Sequence, residues 1–142
     1  VKIDGALLQH VCTKQNGKFI FTNEQLYEAM GDAKVTIALP RSMTQPEIAD
    51  DIETLTQRYW ECMFSRMVMV GHAPQELVDF IGYNPVVELR DDISAEDLIA
   101  DVLEHIADYQ PLVDRNRATA ERLGSWTVRM KWLMEELNKR YM

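Results

Sequence analysis

Residues 67 to 71 read Met-Val-Met-Val-Gly, four consecutive apolar side chains closed by a glycine. Successive side chains of a strand point to opposite faces, so a run with no polar member fits a strand only if both faces are covered. That is the position of a central strand in a parallel sheet. The flanking sequence supplies further strands. Val35-Thr-Ile-Ala-Leu39 is closed by Pro40, Val86-Val-Glu-Leu89 reads as an edge strand, and Lys18-Phe-Ile-Phe21 lies between Asn16-Gly17 and Thr22. Helical periods separate them. Gly5 to Cys12 is one; Thr22-Asn-Glu-Gln25 is a capping box leading into Gln25 to Met30; Glu53 to Ser65 is a third; Pro74 to Phe80 ends at Gly82. A second capping box, Ser94-Ala-Glu-Asp97, opens Leu98 to His105 with an extension toward Tyr109, and Pro111 to Met142 is helical with a break at Gly124-Ser125. The pattern predicts an α/β fold: a Rossmann-like three-layer parallel sheet of about four strands, wound right-handed, with helices on both faces. Residues 1–142 form a single domain in this reading, with C-terminal helices over about 111–142.

The balance of 23 acidic and 15 basic residues gives a net charge of −8, which repels nucleic-acid backbones and anionic membranes alike. No nucleic-acid partner is expected. No apolar run approaches the roughly 20 residues that span a bilayer, so membrane association is expected only through regions outside this chain. Cys12 and Cys62 have no paired spacing and read as free thiols of a reducing compartment. The expected location is cytoplasmic, at the periphery of the inner membrane in a full-length protein. A first residue of valine suggests a domain cut from a longer chain. His10, His105 and the dispersed acids make no metal-ligand spacing, so neither a metal nor a cofactor is expected.

In an open parallel sheet, ligands bind beyond the carboxyl ends of the strands. The loops selected by that rule are Pro40-Arg41-Ser42, Gly71-His72-Ala73-Pro74 and Arg90-Asp91-Asp92. The helix following the first carries Glu53 and Glu61, with seven residues between them. On a continuous helix these carboxylates stand roughly 12 Å apart along the axis and about 80° apart around it, so both can border one elongated ligand. Thr54, Leu55 and Thr56 then offer backbone N–H groups at the positive helix end, where an anion such as a diphosphate is stabilised. A carboxylate can accept two hydrogen bonds from a vicinal diol. A diol, a diphosphate and a second diol describe a nucleotide sugar. Arg41-Ser42 is placed for phosphate contact, or Arg41 pairs with Asp50 or Asp51. Arg58 either reaches phosphate and orders Glu61, or forms an (i, i+3) surface pair with it. His72 is a ligand-binding residue or a loop histidine. Trp126, Trp132 and Leu133 read as packing residues that dock the last helix.

Onward from Glu61, the run Glu61-Cys-Met-Phe-Ser-Arg-Met-Val-Met-Val-Gly-His-Ala-Pro-Gln-Glu-Leu77 resembles the C-terminal nucleotide-sugar-binding domain of GT-B glycosyltransferases of the E-x7-E type. Phe80-Ile-Gly82, Asn84-Pro-Val-Val87, Trp126 and Arg129 extend the likeness over roughly residues 35 to 135. The resemblance implies half of a GT-B fold. It implies that Glu61 contacts the donor ribose, that Glu53, the catalytic candidate, reaches the hydroxyls of the transferred sugar, and that amides near Thr54 to Thr56 hold the diphosphate of a UDP- or GDP-sugar. The expected parent is a hexosyl transferase of polysaccharide or glycoconjugate assembly. Its acceptor-binding N-terminal domain is missing from these 142 residues, which are expected to be inactive alone. Ser65-Arg66 stands where the family's turn usually ends in glycine. The alternative reading is a flavodoxin-like binding or interaction module with no chemistry.

Overall fold

A computed structural model describes residues 22–141 and, before them, the backbone of four two-residue strands. These are β1 (Lys2–Ile3), β2 (Ala6–Leu7), β3 (Lys14–Gln15) and β4 (Lys18–Phe19), paired antiparallel as β1 with β2 and β3 with β4. Two expectations change here. Ala6 and Leu7, assigned from sequence to a helix, are extended; the rest of that segment, with His10 and Cys12, lies outside the described residues. Lys18–Phe19 is a strand as expected, but it pairs with Lys14–Gln15 and is not a fourth member of the parallel sheet.

That sheet has three strands, β5 (Val35–Ala38), β6 (Val68–Gly71) and β7 (Val86–Glu88), in the order β5-β6-β7 with both pairings parallel. All four residues of β6 are buried, as its unbroken apolar run requires. Its alternation divides the core into two layers. Met67 and Met69 pack with Ala38, with Tyr59, Trp60, Cys62 and Met63 of α4 (Gln57–Phe64), and with Leu77 and Ile81 of α5 (Gln75–Ile81). Val68 and Val70 point the other way, against Leu98 and Val102 of α6 (Ala95–Glu104) and Val113 of α7 (Gln110–Thr119). Helices therefore cover both faces.

Local chemistry sets the helix ends. Ahead of α1 (Asn23–Asp32) the expected capping box is complete: Gln25 N–H donates to Thr22 Oγ1 at 3.3 Å and Thr22 N–H to Gln25 Oε1 at 2.9 Å. At α6 only half of the expected box forms. Asp97 N–H donates to Ser94 Oγ, whose hydroxyl turns to Asp97 Oδ2 at 2.7 Å, because the shorter aspartate does not reach back to the Ser94 amide. Gly82 ends α5 with φ of 80°, a left-handed conformation that suits glycine. Arg66 takes φ of 60° at the turn from α4 into β6. A positive φ is a conformation glycine adopts most readily, and here an arginine holds it. The Arg66 guanidinium meets Asp114 on α7 at 2.5 Å, a contact a glycine could not make.

Two single-turn helices, α2 (Arg41–Thr44) and α3 (Pro46–Ala49), fill the loop between β5 and α4. Beyond α6, a 3₁₀ turn (Ile106–Tyr109) leads into α7, and a π-helical turn (Ala120–Gly124) leads to α8 (Trp126–Tyr141). Buried Asn116 fastens α7 to the sheet: its Nδ2 donates to Pro85 O at 3.0 Å and its Oδ1 accepts from the Tyr83 hydroxyl at 2.8 Å. Arg117 donates to the Phe64 carbonyl, tying α7 to the end of α4. The expected docking of the last helix is not observed among the described residues. No residue of α8 is buried, and Trp126, Trp132 and Leu133 are exposed, because α8 leaves the core at Ser125 and meets chiefly the π-helical turn before it.

The closest approach in the sheet is at Gly71, where a Cβ would fall 2.0 Å from Ala38 O, at a φ of 152°. Neither strand can yield, since Gly71 pairs with Ala38 on one side and Glu88 on the other. Gly71→Ala is expected to destabilise the fold by about 3 kcal/mol through backbone strain and parting of β5 from β6. Urea unfolding of the two proteins measures it, and a loss under about 1 kcal/mol would contradict this geometry.

Candidate functional site

The strand ends converge on a cluster of three side chains. Glu88 closes β7, His72 follows Gly71 at the end of β6, and Glu53 lies in the non-helical segment before α4. His72 stands between the carboxylates, its Nδ1 2.8 Å from Glu88 Oε2 and its Nε2 3.1 Å from Glu53 Oε1. All three side chains are about one-third exposed. The backbone fixes this arrangement from below. His72 N–H donates to Ala38 O, Leu89 N–H to Gly71 O, and the buried Tyr59 hydroxyl to His72 O at 2.7 Å.

The two carboxylates are not equivalent. Glu88 is fully engaged: Oε1 accepts from Ala73 N–H at 2.9 Å and Asn84 Nδ2 at 2.7 Å, while Oε2 faces His72. Asn84 is held in turn by Val86 N–H. Glu53 rests on His72 through Oε1, and its Oε2 has no hydrogen-bond partner among the described residues. Glu88 is thus the anchor, His72 the bridge, and Glu53 the group with an acceptor to spare. Burial pulls the His72 pKa down, but the hydrogen bond and charge of Glu88, and then the charge of Glu53, outweigh it and leave the imidazole above its ordinary 6.5. Burial first, and then the charges of Glu53 and Glu88, push the Tyr59 phenol up to about 12, so it stays protonated as the donor to His72 O.

The expected helix from Glu53 is shorter than its sequence period. It begins at Gln57, and residues 53–56 are not helical. Long-range contacts hold this segment: Leu55 N–H donates to Glu76 Oε2 at 3.0 Å, and Glu53 is drawn to His72. The Leu55 amide is therefore taken, and the first-turn amides belong to Gln57, Arg58 and Tyr59 in place of Thr54 to Thr56. Thr56 is the N-cap but makes no side-chain capping bond, and no acidic residue occupies the first turn. Glu61 lies one turn along α4, exposed. It borders clefts toward α1 and toward α8, whereas the sequence placed it against the Pro40 and Gly71 loops.

Arg41 and Arg58 are exposed, and among the described residues neither forms an ion pair, whether Arg41 with Asp50 or Asp51 or Arg58 with Glu61. Ser42 Oγ is the buried side-chain polar atom left without a partner among the described residues. Cys62 is buried and free. No group of His, Cys, Asp and Glu suited to a metal ion occurs among the described residues, and none of their helices is long and apolar enough to cross a membrane. Sequence reasoning missed Glu88, Tyr59 and Asn84. Glu88 had a usable signal, being the one charged residue of a strand whose carboxyl end faces the crevice.

No family model, curated protein or solved structure matches this chain.

The raised pKa of His72 sets a pH dependence. The stabilising contribution of a protonated His72 between its carboxylates is complete below the ordinary value of 6.5 and is lost as pH rises through the higher folded-state value. In an NMR titration His72 is expected to titrate above 6.5, and Glu88→Gln to move it down. An unchanged His72 pKa in that variant would contradict the bridging role.

Proposed function

We propose that this chain is the donor-binding domain of a glycosyltransferase, half of a GT-B fold, taking a nucleoside-diphosphate sugar such as a UDP- or GDP-sugar. The observation that carries the reading is the free oxygen of Glu53, held by the His72–Glu88 anchor at the strand ends and adjoining the uncapped start of α4. A fixed carboxylate with a vacant acceptor suits sugar hydroxyls, which donate hydrogen bonds, and repels phosphate. The first-turn amides of α4 suit phosphate, which the helix dipole attracts. Opposite preferences side by side match a ligand whose sugar adjoins a diphosphate.

In this reading Glu53 orients the transferred sugar and His72 is a positioning residue, with both ring nitrogens committed to carboxylates. Gln57, Arg58 and Tyr59 amides, with the unpaired Arg41 and Arg58 guanidiniums, stabilise charge on the departing diphosphate by preorganised electrostatics. The acceptor comes from an N-terminal domain, so transfer belongs to a longer parent protein of polysaccharide or glycoconjugate assembly acting in the cytoplasm or at the inner-membrane periphery.

The second reading, an interaction module without chemistry, draws on the exposed apolar side chains of α8. Thermal unfolding separates the two. A nucleotide sugar at a hundredfold its Kd stabilises by about 2.7 kcal/mol. UDP- or GDP-sugar is expected to raise the Tm more than the bare nucleoside diphosphate, and Glu53→Gln to remove that difference while leaving the diphosphate response. No response to any of these ligands favours the interaction module.

A further inference from the structure

The last helix carries an apolar stripe that none of the described residues buries. At about 100° per residue, Trp126, Met130, Leu133, Met134, Leu137 and Tyr141 fall on one side of α8, within an arc of about 100°. Each of the six is at least 41% exposed. Trp126, Met130, Leu133 and Leu137 follow one another at intervals of four, three and four, the alternation by which two helices coil together. Trp132, also exposed, lies on the opposite side of the helix and outside this seam.

Charge indicates what covers the stripe. Arg129, Lys131, Lys139 and Arg140 against Glu135 and Glu136 put α8 at +2 in a chain of −8, which leaves −10 for the rest of the molecule. An anionic lipid surface repels that body, and the two glutamates stand at the middle of the helix where such a surface would meet them. A second α8 fits in one orientation. Side by side in the same direction, the helices set Arg140, the next seam position, against its own copy and bring two bodies of −10 together. Head to tail, with Met130 of each copy on Leu133 of the other, Leu137 covers Trp126 and Arg129 flanks Glu136 of the other copy, twice by symmetry. Lys139 holds Glu136 Oε1 at 2.7 Å, and Glu136 Oε2 has no partner among the described residues. The acidic bodies, joined to α8 at Ser125, then lie at opposite ends of a helix about 24 Å long.

We infer that two copies of this chain associate through α8 as an antiparallel two-stranded coil, with the two-fold axis between Met130 and Leu133. The inference goes beyond the donor-binding reading and does not depend on it. A contact of 16 residues per copy is at the small end of specific interfaces, so the dimer is concentration-dependent.

Analytical ultracentrifugation of the chain from about 5 µM to about 500 µM tests it, and the mass is expected to rise from 16.5 kDa toward twice that value. Leu133→Glu is expected to remain monomeric throughout, and Trp132→Ala, off the seam, to dimerise as the wild type does. Arg129→Glu is expected to weaken the dimer about tenfold by facing Glu136 of the other copy, and the double variant Arg129→Glu, Glu136→Arg to recover it. All four substituted side chains are on the surface, and an unchanged Tm confirms that the variants fold. Wild-type protein that stays monomeric, a dimer that survives Leu133→Glu, or a double variant no stronger than Arg129→Glu overturns the inference. Monomeric protein that instead binds vesicles of anionic phospholipid through α8 overturns it as well, and assigns the stripe to a membrane surface.

Discussion

The burial of β6 on both faces is the constraint from which the rest follows. A strand with no polar side chain is stable only between two apolar layers, and Met69 and Val70 each command one. Its last residue, Gly71, comes so close to Ala38 that only a hydrogen is tolerated. That approach lets His72 N–H reach the Ala38 carbonyl as the chain leaves the sheet. The His72 side chain is thereby aimed across the strand ends, between β7 and the segment before α4. Packing at the centre and chemistry at the rim have one cause.

The rim is built as a relay of hydrogen bonds from backbone to solvent. The Ala73 amide and Asn84 hold Glu88, Glu88 holds His72, and His72 holds Glu53. A protonated imidazole between two carboxylates leaves the cluster with one net negative charge, in a chain that is already acidic. Such a group attracts hydroxyls and disfavours phosphate. The anion-friendly element, the uncapped start of α4, follows Glu53 by four positions in the chain. In the proposed reading these neighbouring, opposite preferences match a ligand with a polar neutral part and a charged part.

Much of the fold was legible in the sequence because local rules governed it. The run at 67–71, the capping box at Thr22 and the stop at Gly82 each follow from near neighbours, and each is observed. The misreadings have non-local causes. Residues 53–56 share the helical period of α4, yet they are held outside the helix by Glu76 and His72, partners about twenty positions away. Lys18–Phe19 has the composition of a strand, but composition does not name a partner, and it pairs within its own hairpin. The apolar pattern of α8 predicted docking, while the described residues provide it no core to dock on. Of the cluster, the loop at His72 followed from the strand-end rule. Glu88 met the same rule at the end of β7 but was passed over, since a glutamate on an edge strand looks like a solvated residue until the sheet turns it toward His72.

The proposed donor site consists of the His72 cluster and the start of α4. Mapping amide and indole NMR shifts while a UDP- or GDP-sugar is added tests this most directly. A donor bound as proposed shifts the amides of Gly71–Ala73 and Gln57–Tyr59 together. Shifts confined to other surfaces, or none at saturating ligand, would contradict it.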